Sequence, residues 1–180
     1  TSQTPLTEEE RKKLLDLIHE QSNKMLHEVS LILDSAKIEA GLFTIQKTNS
    51  DLKEIIQEKI TIFQPLAQEK FVTISADIDP SIPKFSFDPH HIGQVISNLC
   101  SNSLKFTPSG GAIRVILRQT LPSPTTPGMV SVSVSDTGLG IPKDKQHLLF
   151  SKFSQVPSKN SHQGTGLGLY FIKGVIDAHG

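Results

Sequence analysis

Near the N-terminus, apolar residues recur three and four apart, at Leu15, Ile18, Met25, Val29, Ile32 and Ala36, with Ser22 filling one slot. Leu26, Leu33 and Ala40 add a second row spaced by sevens. The period is that of a long helix carrying a wide seam over about four heptads. One helix cannot bury such a seam alone, so the pattern predicts a helical hairpin or a dimeric bundle. The helix opens on a capping box, with Thr7 as N-cap and Glu10 at N3, and has acids through its first turn. Gly41 closes it at C′.

Beyond Gly41 the periods shorten. Residues 42–46 read as a short strand. Residues 52–63 read as an amphipathic helix stopped before Pro65. Residues 71–76 alternate as a strand, and 84–87 form another short one. Residues 88–107 are helical, and Pro108-Ser109-Gly110-Gly111 is a turn. Residues 113–118 and 130–135 are strands, separated by a loop too rich in proline to pair, LPSPTTPG. In the second of these strands Val130, Val132 and Val134 alternate with serine, giving one apolar and one polar face. Residues 143–163 are polar and lack a clear period, apart from the cluster Leu148, Leu149, Phe150 and Phe153. Residues 167–178 read as a closing helix. Helices and strands interleave, which predicts helices packed on one face of a mixed sheet.

The 88–107 helix divides into two arcs at 100° per residue. Ile92, Val95, Ile96, Leu99, Cys100 and Phe106 make a core face. Beside it runs an unusual stripe of His91, Gln94, Asn98, Ser101, Asn102 and Lys105, with amides in place of the common Glu/Lys mixture. Asn98 and Asn102 stand one turn apart, although Asn is a poor helix former. An amide oxygen can ligate a hard cation, and a lysine one turn on can meet a phosphate. Two glycine segments follow. Asp136-Thr137-Gly138-Leu139-Gly140-Ile141-Pro142 comes directly after a strand, where the glycines let a flat ligand approach and Asp136 can accept from an exocyclic amine. Gly164-Thr165-Gly166-Leu167-Gly168 leads into a helix, and its successive N–H groups form an anion site. No lysine follows it, so it is not a Walker loop. Its spacing and late position also make it a poor dinucleotide fingerprint. Alone, each glycine cluster is equally a tight turn or a close helix contact.

Taken together and in order, the segments are far more specific. The amide helix (94–106), D-x-G-x-G (136–140), F-x-x-F (150–153) and G-x-G-x-G (164–168) resemble the N, G1, F and G2 boxes of the ATP-binding catalytic domain of sensor histidine kinases. That domain is part of the ATPase superfamily that includes gyrases, mismatch-repair proteins and heat-shock chaperones. The N-terminal helix, ending in Lys37-Ile38-Glu39-Ala40-Gly41, resembles the second helix of the kinases' dimerisation and phosphoacceptor hairpin. The resemblance spans nearly the whole chain. It implies an α+β, two-layer sandwich of Bergerat type, with residues 1–41 a partial dimerisation arm and 42–180 the catalytic domain lacking its last strands. On this resemblance Asn102 ligates Mg²⁺ with Asn98 nearby, Lys105 contacts phosphate and Phe106 packs on adenine. Asp136 binds the adenine amine over a floor of Gly138, Gly140 and Ile141. Gly164, Thr165, Gly166, Leu167 and Gly168 shape the loop over the phosphates. Residues 143–163 would form a mobile lid, with Lys152 or Lys159 as its phosphate cation.

The resemblance also implies ATP and Mg²⁺ as ligands, a homodimer formed through the hairpin, and relay to the receiver domain of a response regulator. Hydrolytic relatives have Glu at the position of Asn98. Asn cannot act as a base, so transfer to a side chain is favoured over hydrolysis. A hydrolytic ATPase and a scaffold with a vestigial nucleotide site are the rival readings. The family's acceptor box, roughly H-[DE]-L-R-T-P-L, shares only two letters with His27-Glu28-Val29-Ser30, so the acceptor is expected outside this chain. Gln163 stands where many relatives have Gly, and His91 where Arg is common. The bulk numbers add little. Lys plus Arg and Asp plus Glu both total 18, so nothing suggests nonspecific binding to nucleic acid or to an anionic membrane. A single Cys fits a reducing compartment. A cytoplasmic location is expected, with any membrane anchor in other parts of the parent.

Overall fold

A computed structural model of the chain describes residues 6–120, 128–154 and 165–180. The proline-rich loop, apart from Gly128, and the second half of the expected lid lie outside the described residues. In order, the elements are α1 (Glu8–Glu39), β1 (Thr48–Ser50), α2 (Leu52–Glu69), β2 (Thr73–Ile78), β3 (Phe85–Phe87), α3 (Pro89–Phe106), β4 (Ala112–Thr120), β5 (Met129–Asp136), a 3₁₀ turn (Lys143–Leu148) and α4 (Gly168–His179). Strands β2, β4 and β5 form the main sheet in that order, with β2 parallel and β5 antiparallel to β4. The short β1 and β3 pair separately.

Alternation decides which face of the main sheet is covered. Ile113, Val115 and Leu117 of β4 are buried, with Ile74, Ile78, Val130, Val132 and Val134 beside them. Leu52 and Ile56 of α2 and Ile96 and Cys100 of α3 pack on that side. The other face carries Arg114, Arg118 and the β5 serines, which are exposed. The mixed sheet with helices on one face is therefore as expected. A second cluster joins Leu31 of α1 and Val95 of α3 to Phe171, Ile172 and Val175 of α4. No helix among the described residues is long and apolar enough to cross a membrane.

The capping box of α1 forms as read, with the Thr7 N–H donating to Glu10 Oε2 (2.9 Å) and the Glu10 N–H to Thr7 Oγ1 (3.3 Å). Three expectations are corrected. Residues 42–46 are not a strand; the pairing segment is Thr48–Ser50, because residues 42–47 are tied instead to α3 and α4. Helix α2 does not stop at Phe63 but runs through Pro65 to Glu69. Pro65 and Thr61 are both exposed, so the Thr61 carbonyl deprived of its partner faces water, while Ala67 beyond them is buried in the core. Strand β2 starts at Thr73 rather than at Phe71, which is exposed at φ +57°.

Candidate functional site

Helix α3 is the spine on which the segments singled out in the sequence meet. Asp88 caps it, its Oδ1 accepting from the His91 N–H (3.0 Å), and Pro89 occupies its first turn. Val95, Ile96 and Cys100 anchor it on the core. Asn98, although in the polar stripe, is 8% exposed. Its amide donates to the Gln94 carbonyl one turn back (3.1 Å). This bond offsets part of the cost of Asn in a helix. Gly168, which begins α4, lies against it: a Cβ there would sit 3.0 Å from Asn98 Oδ1. The amide helix and the late glycine arc are thus in direct contact.

The C-terminal end of α3 meets the end of β5. Ser103 Oγ donates to Asp136 Oδ2 (3.0 Å), and the Gly138 N–H donates to Asp136 Oδ1 (2.9 Å). A Cβ on Gly138 would lie 2.8 Å from the Phe106 carbonyl oxygen and 3.2 Å from its carbon, so only glycine permits this approach. The F-x-x-F segment closes on the second glycine segment in the same way. A Cβ on Gly166, at φ +70°, would fall 2.7 Å from the Phe153 carbonyl carbon. Phe153 is itself held at φ +59°, a conformation costing a non-glycine residue about 1–2 kcal/mol.

Asn102 and Lys105 are part-buried on α3. The Lys105 Nζ stands 4.9 Å from the ring centroid of Phe106, which is exposed rather than buried with the apolar arc. Burial lowers the Lys105 pKa, and the Lys24 ammonium of α1 lowers it further. Gly140 (φ +66°) faces open space, and Ile141 is exposed beside it. Thr165 is part-buried. Leu167 is buried at 1% exposure, so its side chain belongs to the core and only its backbone can front a ligand. Gly164, with Lys159 and Gln163, lies outside the described residues. Lys152 pairs with Glu39 of α1 (2.6 Å). A groove of about 400 Å³ lined by His27, Lys59, His90, Gln94 and Ser97, among others, lies toward the other end of α3, and none of the expected site residues lines it.

Sequence reasoning missed Ser103. A signal was present: it stands seven residues after Ile96 and three after Cys100, on the core face. A hydroxyl placed there must find a partner.

The chain belongs to the histidine kinase-, DNA gyrase B- and HSP90-like ATPase family, whose model matches residues 87–180. It is 37% identical over 172 residues to hybrid signal transduction histidine kinase D of Dictyostelium discoideum, covering 94% of this chain and 11% of that protein. It is 33% identical over 179 residues to drug sensory protein A of Synechocystis, covering 97% of this chain and 27% of that protein. The chain therefore spans only a minor part of these relatives. Among solved structures, full-length ShkA in complex with AMPPNP superposes with TM-score 0.75 at 25% identity, over 97% of this chain and 35% of that one. The nucleotide-free catalytic domain of histidine kinase ThkA superposes with TM-score 0.63 at 26% identity, over 74% of this chain and 81% of that one.

Proposed function

We propose that this chain is the nucleotide-binding catalytic part of a sensor histidine kinase. It would bind Mg-ATP and present the γ-phosphoryl to a His carried on another helix, for relay to an Asp of a response regulator. The observation that carries the reading is the convergence on α3: Asp136 through Ser103, Gly138 against the Phe106 backbone, and Gly168 against Asn98. Gly138 lets the loop close on the end of α3 with no side chain between them, and a flat base would lie over that loop beside Asp136. Asp136, exposed at the strand end, accepts from its amine. The amide oxygens of Asn98 and Asn102 are hard donors of the kind magnesium takes. The ion, when bound, neutralises charge on the phosphate oxygens. Lys105 supplies a further cation, and the N–H groups before α4 supply anion-binding dipoles. Asn98 cannot deprotonate water, which favours transfer over hydrolysis.

The arm supports the rest of the proposal. Leu15, Ile18, Met25, Val29 and Ile32 leave its seam exposed, which suits a four-helix bundle with a second copy.

Titration with Mg-ATP tests the binding step. Wild-type protein binds, and Asn102→Ala weakens binding by about tenfold or more. An unchanged affinity in that variant would reject the assignment. Mixing the chain with the family's first hairpin helix and labelled ATP then tests transfer, read as acid-labile phosphate on the added piece.

A further inference from the structure

Asp136 is exposed at the end of β5, yet it is held from beneath by a buried group. Ser103 is 7% exposed, on the core face of α3, and its hydroxyl donates to Asp136 Oδ2 at 3.0 Å. The other carboxylate oxygen accepts the Gly138 N–H at 2.9 Å. A carboxylate offers about four lone-pair sites. Here two are filled by donors fixed in the fold, one on each oxygen, so the carboxylate plane cannot turn without breaking a bond. The backbone donor is local to the loop. Among the described residues, Ser103 alone hydrogen-bonds the carboxylate to the helix that carries Asn98 and Asn102.

We infer that Ser103 is a positioning residue that fixes the Asp136 carboxylate in the orientation that reads the substituent at purine position 6. The inference rests on the nucleotide reading above and adds the source of base selectivity to it. With its proton committed to Asp136, Ser103 has only lone pairs left to present, as does the carboxylate. The two together form an edge made entirely of acceptors. A 6-amino group donates to that edge. A 6-oxo group meets it lone pair to lone pair, and a purine with hydrogen at this position makes no bond. Removing the hydroxyl leaves the helix and its packing in place but frees the carboxylate to rotate. The loss therefore falls on nucleotides that use the 6-amino group. A residue serving packing alone would weaken all nucleotides alike, or none.

The test compares Mg-ATP with Mg-purine riboside triphosphate, which lacks the amine, on wild-type protein and Ser103→Ala, each first shown folded by circular dichroism. Ser103→Ala weakens ATP binding by about fivefold or more and leaves the amine-free nucleotide within about twofold of wild type. Ser103→Cys retains a weak donor, gives an intermediate ratio, and serves as the probe if the alanine variant does not fold. Equal losses for both nucleotides, or no loss for either, overturn the inference and leave the nucleotide reading standing. Folded wild-type protein that binds neither nucleotide removes that reading, and the inference with it.

Discussion

At the scale of single residues, Asp88 shows how one side chain holds the domain's joints. Its carboxylate accepts from the His91 N–H (3.0 Å), the His91 ring (2.7 Å) and the Gln46 N–H of the segment between α1 and β1 (2.7 Å). Its own N–H donates to His179 Nε2 at the end of α4 (3.0 Å), which fixes the His179 proton on Nδ1, facing the Val175 carbonyl (2.7 Å). Burial by itself raises the Asp88 pKa. The donors from His91 and Gln46 together outweigh it and hold the group at about 2. The unfolded side chain titrates near ~3.9. The folded value is the lower one, so the stabilisation is complete above the unfolded pKa and drains away as pH falls toward about 2. Its size is about 2–3 kcal/mol. Asp88→Asn should lose about that much at neutral pH and show a flatter stability profile between pH ~5 and ~2, read by urea unfolding. Lys105 gives a second residue-scale expectation. Burial and then Lys24 depress its pKa, so Lys24→Ala lifts one of the two causes. The alkaline limb of Mg-ATP affinity should move to higher pH, and an unmoved limb would show that Lys105 does not meet the phosphates.

At the scale of elements, two helices end in the same motif with different residues. After α1, the Leu42 N–H reaches the Lys37 carbonyl (2.8 Å) and the Gly41 N–H the Ile38 carbonyl (3.1 Å), with Gly41 at φ +67°. After α2, the Val72 N–H reaches the Ala67 carbonyl (2.8 Å) and the Phe71 N–H the Gln68 carbonyl (2.9 Å), with Phe71 at φ +57°. Both are Schellman caps. Only the first carries the glycine that makes a helix end readable in sequence; the second offers no such signal. A phenylalanine followed by Val-Thr-Ile reads as the start of a strand, and Pro65 reads as a stop. Tertiary burial of Ala67 overrode both signals. Phe71 is 78% exposed, so its ring contributes little and its backbone remains strained. Phe71→Gly should therefore raise stability by about 1 kcal/mol, seen as a higher midpoint in thermal or urea unfolding. A loss of stability would show that the ring has a packing role. Long periodic elements and the order of the boxes were legible because period and motif are local. The Ser103–Asp136 bond was not, because it joins residues 33 positions apart.

At the scale of the whole molecule, the arm uses two faces, and the sequence pattern revealed only one. The seam of Leu15, Ile18, Met25, Val29 and Ile32 is left exposed, while Leu31, Ser35 and Ile38 face inward, Leu31 and Ile38 against α3 and α4. Leu31 packs with Val95, Phe171, Ile172 and Val175, and Ile38 lies over Gly174. Buried side chains of this kind contribute roughly 1.5–3 kcal/mol each. The Glu39–Lys152 pair beside them is partly solvated, and such pairs contribute about 0–1 kcal/mol. Docking of the arm is therefore governed by the apolar contact. Gly174 is its narrowest point: a Cβ there would meet Ile38 Cδ1 at 2.4 Å, with Cγ1 and Cγ2 at 2.9 Å. Ile38 is branched at Cβ and stiff at χ1, with both γ carbons in the way, so turning its side chain cannot make room for Gly174→Leu. That variant should push α1 off α4, while the contacts at Asn98, Ser103 and Phe106 that carry the proposed nucleotide site keep their places. Amide exchange across residues 28–39 should rise by about tenfold or more, because a helix deprived of its packing is marginal in water. Mg-ATP affinity should stay within about threefold of wild type, since Asn98, Asn102, Lys105 and Asp136 all lie outside that apolar contact. Unchanged protection of the arm would mean that the seam, buried against a second copy, holds α1 in place by itself. A parallel collapse of nucleotide binding would mean that arm and site form one cooperative unit.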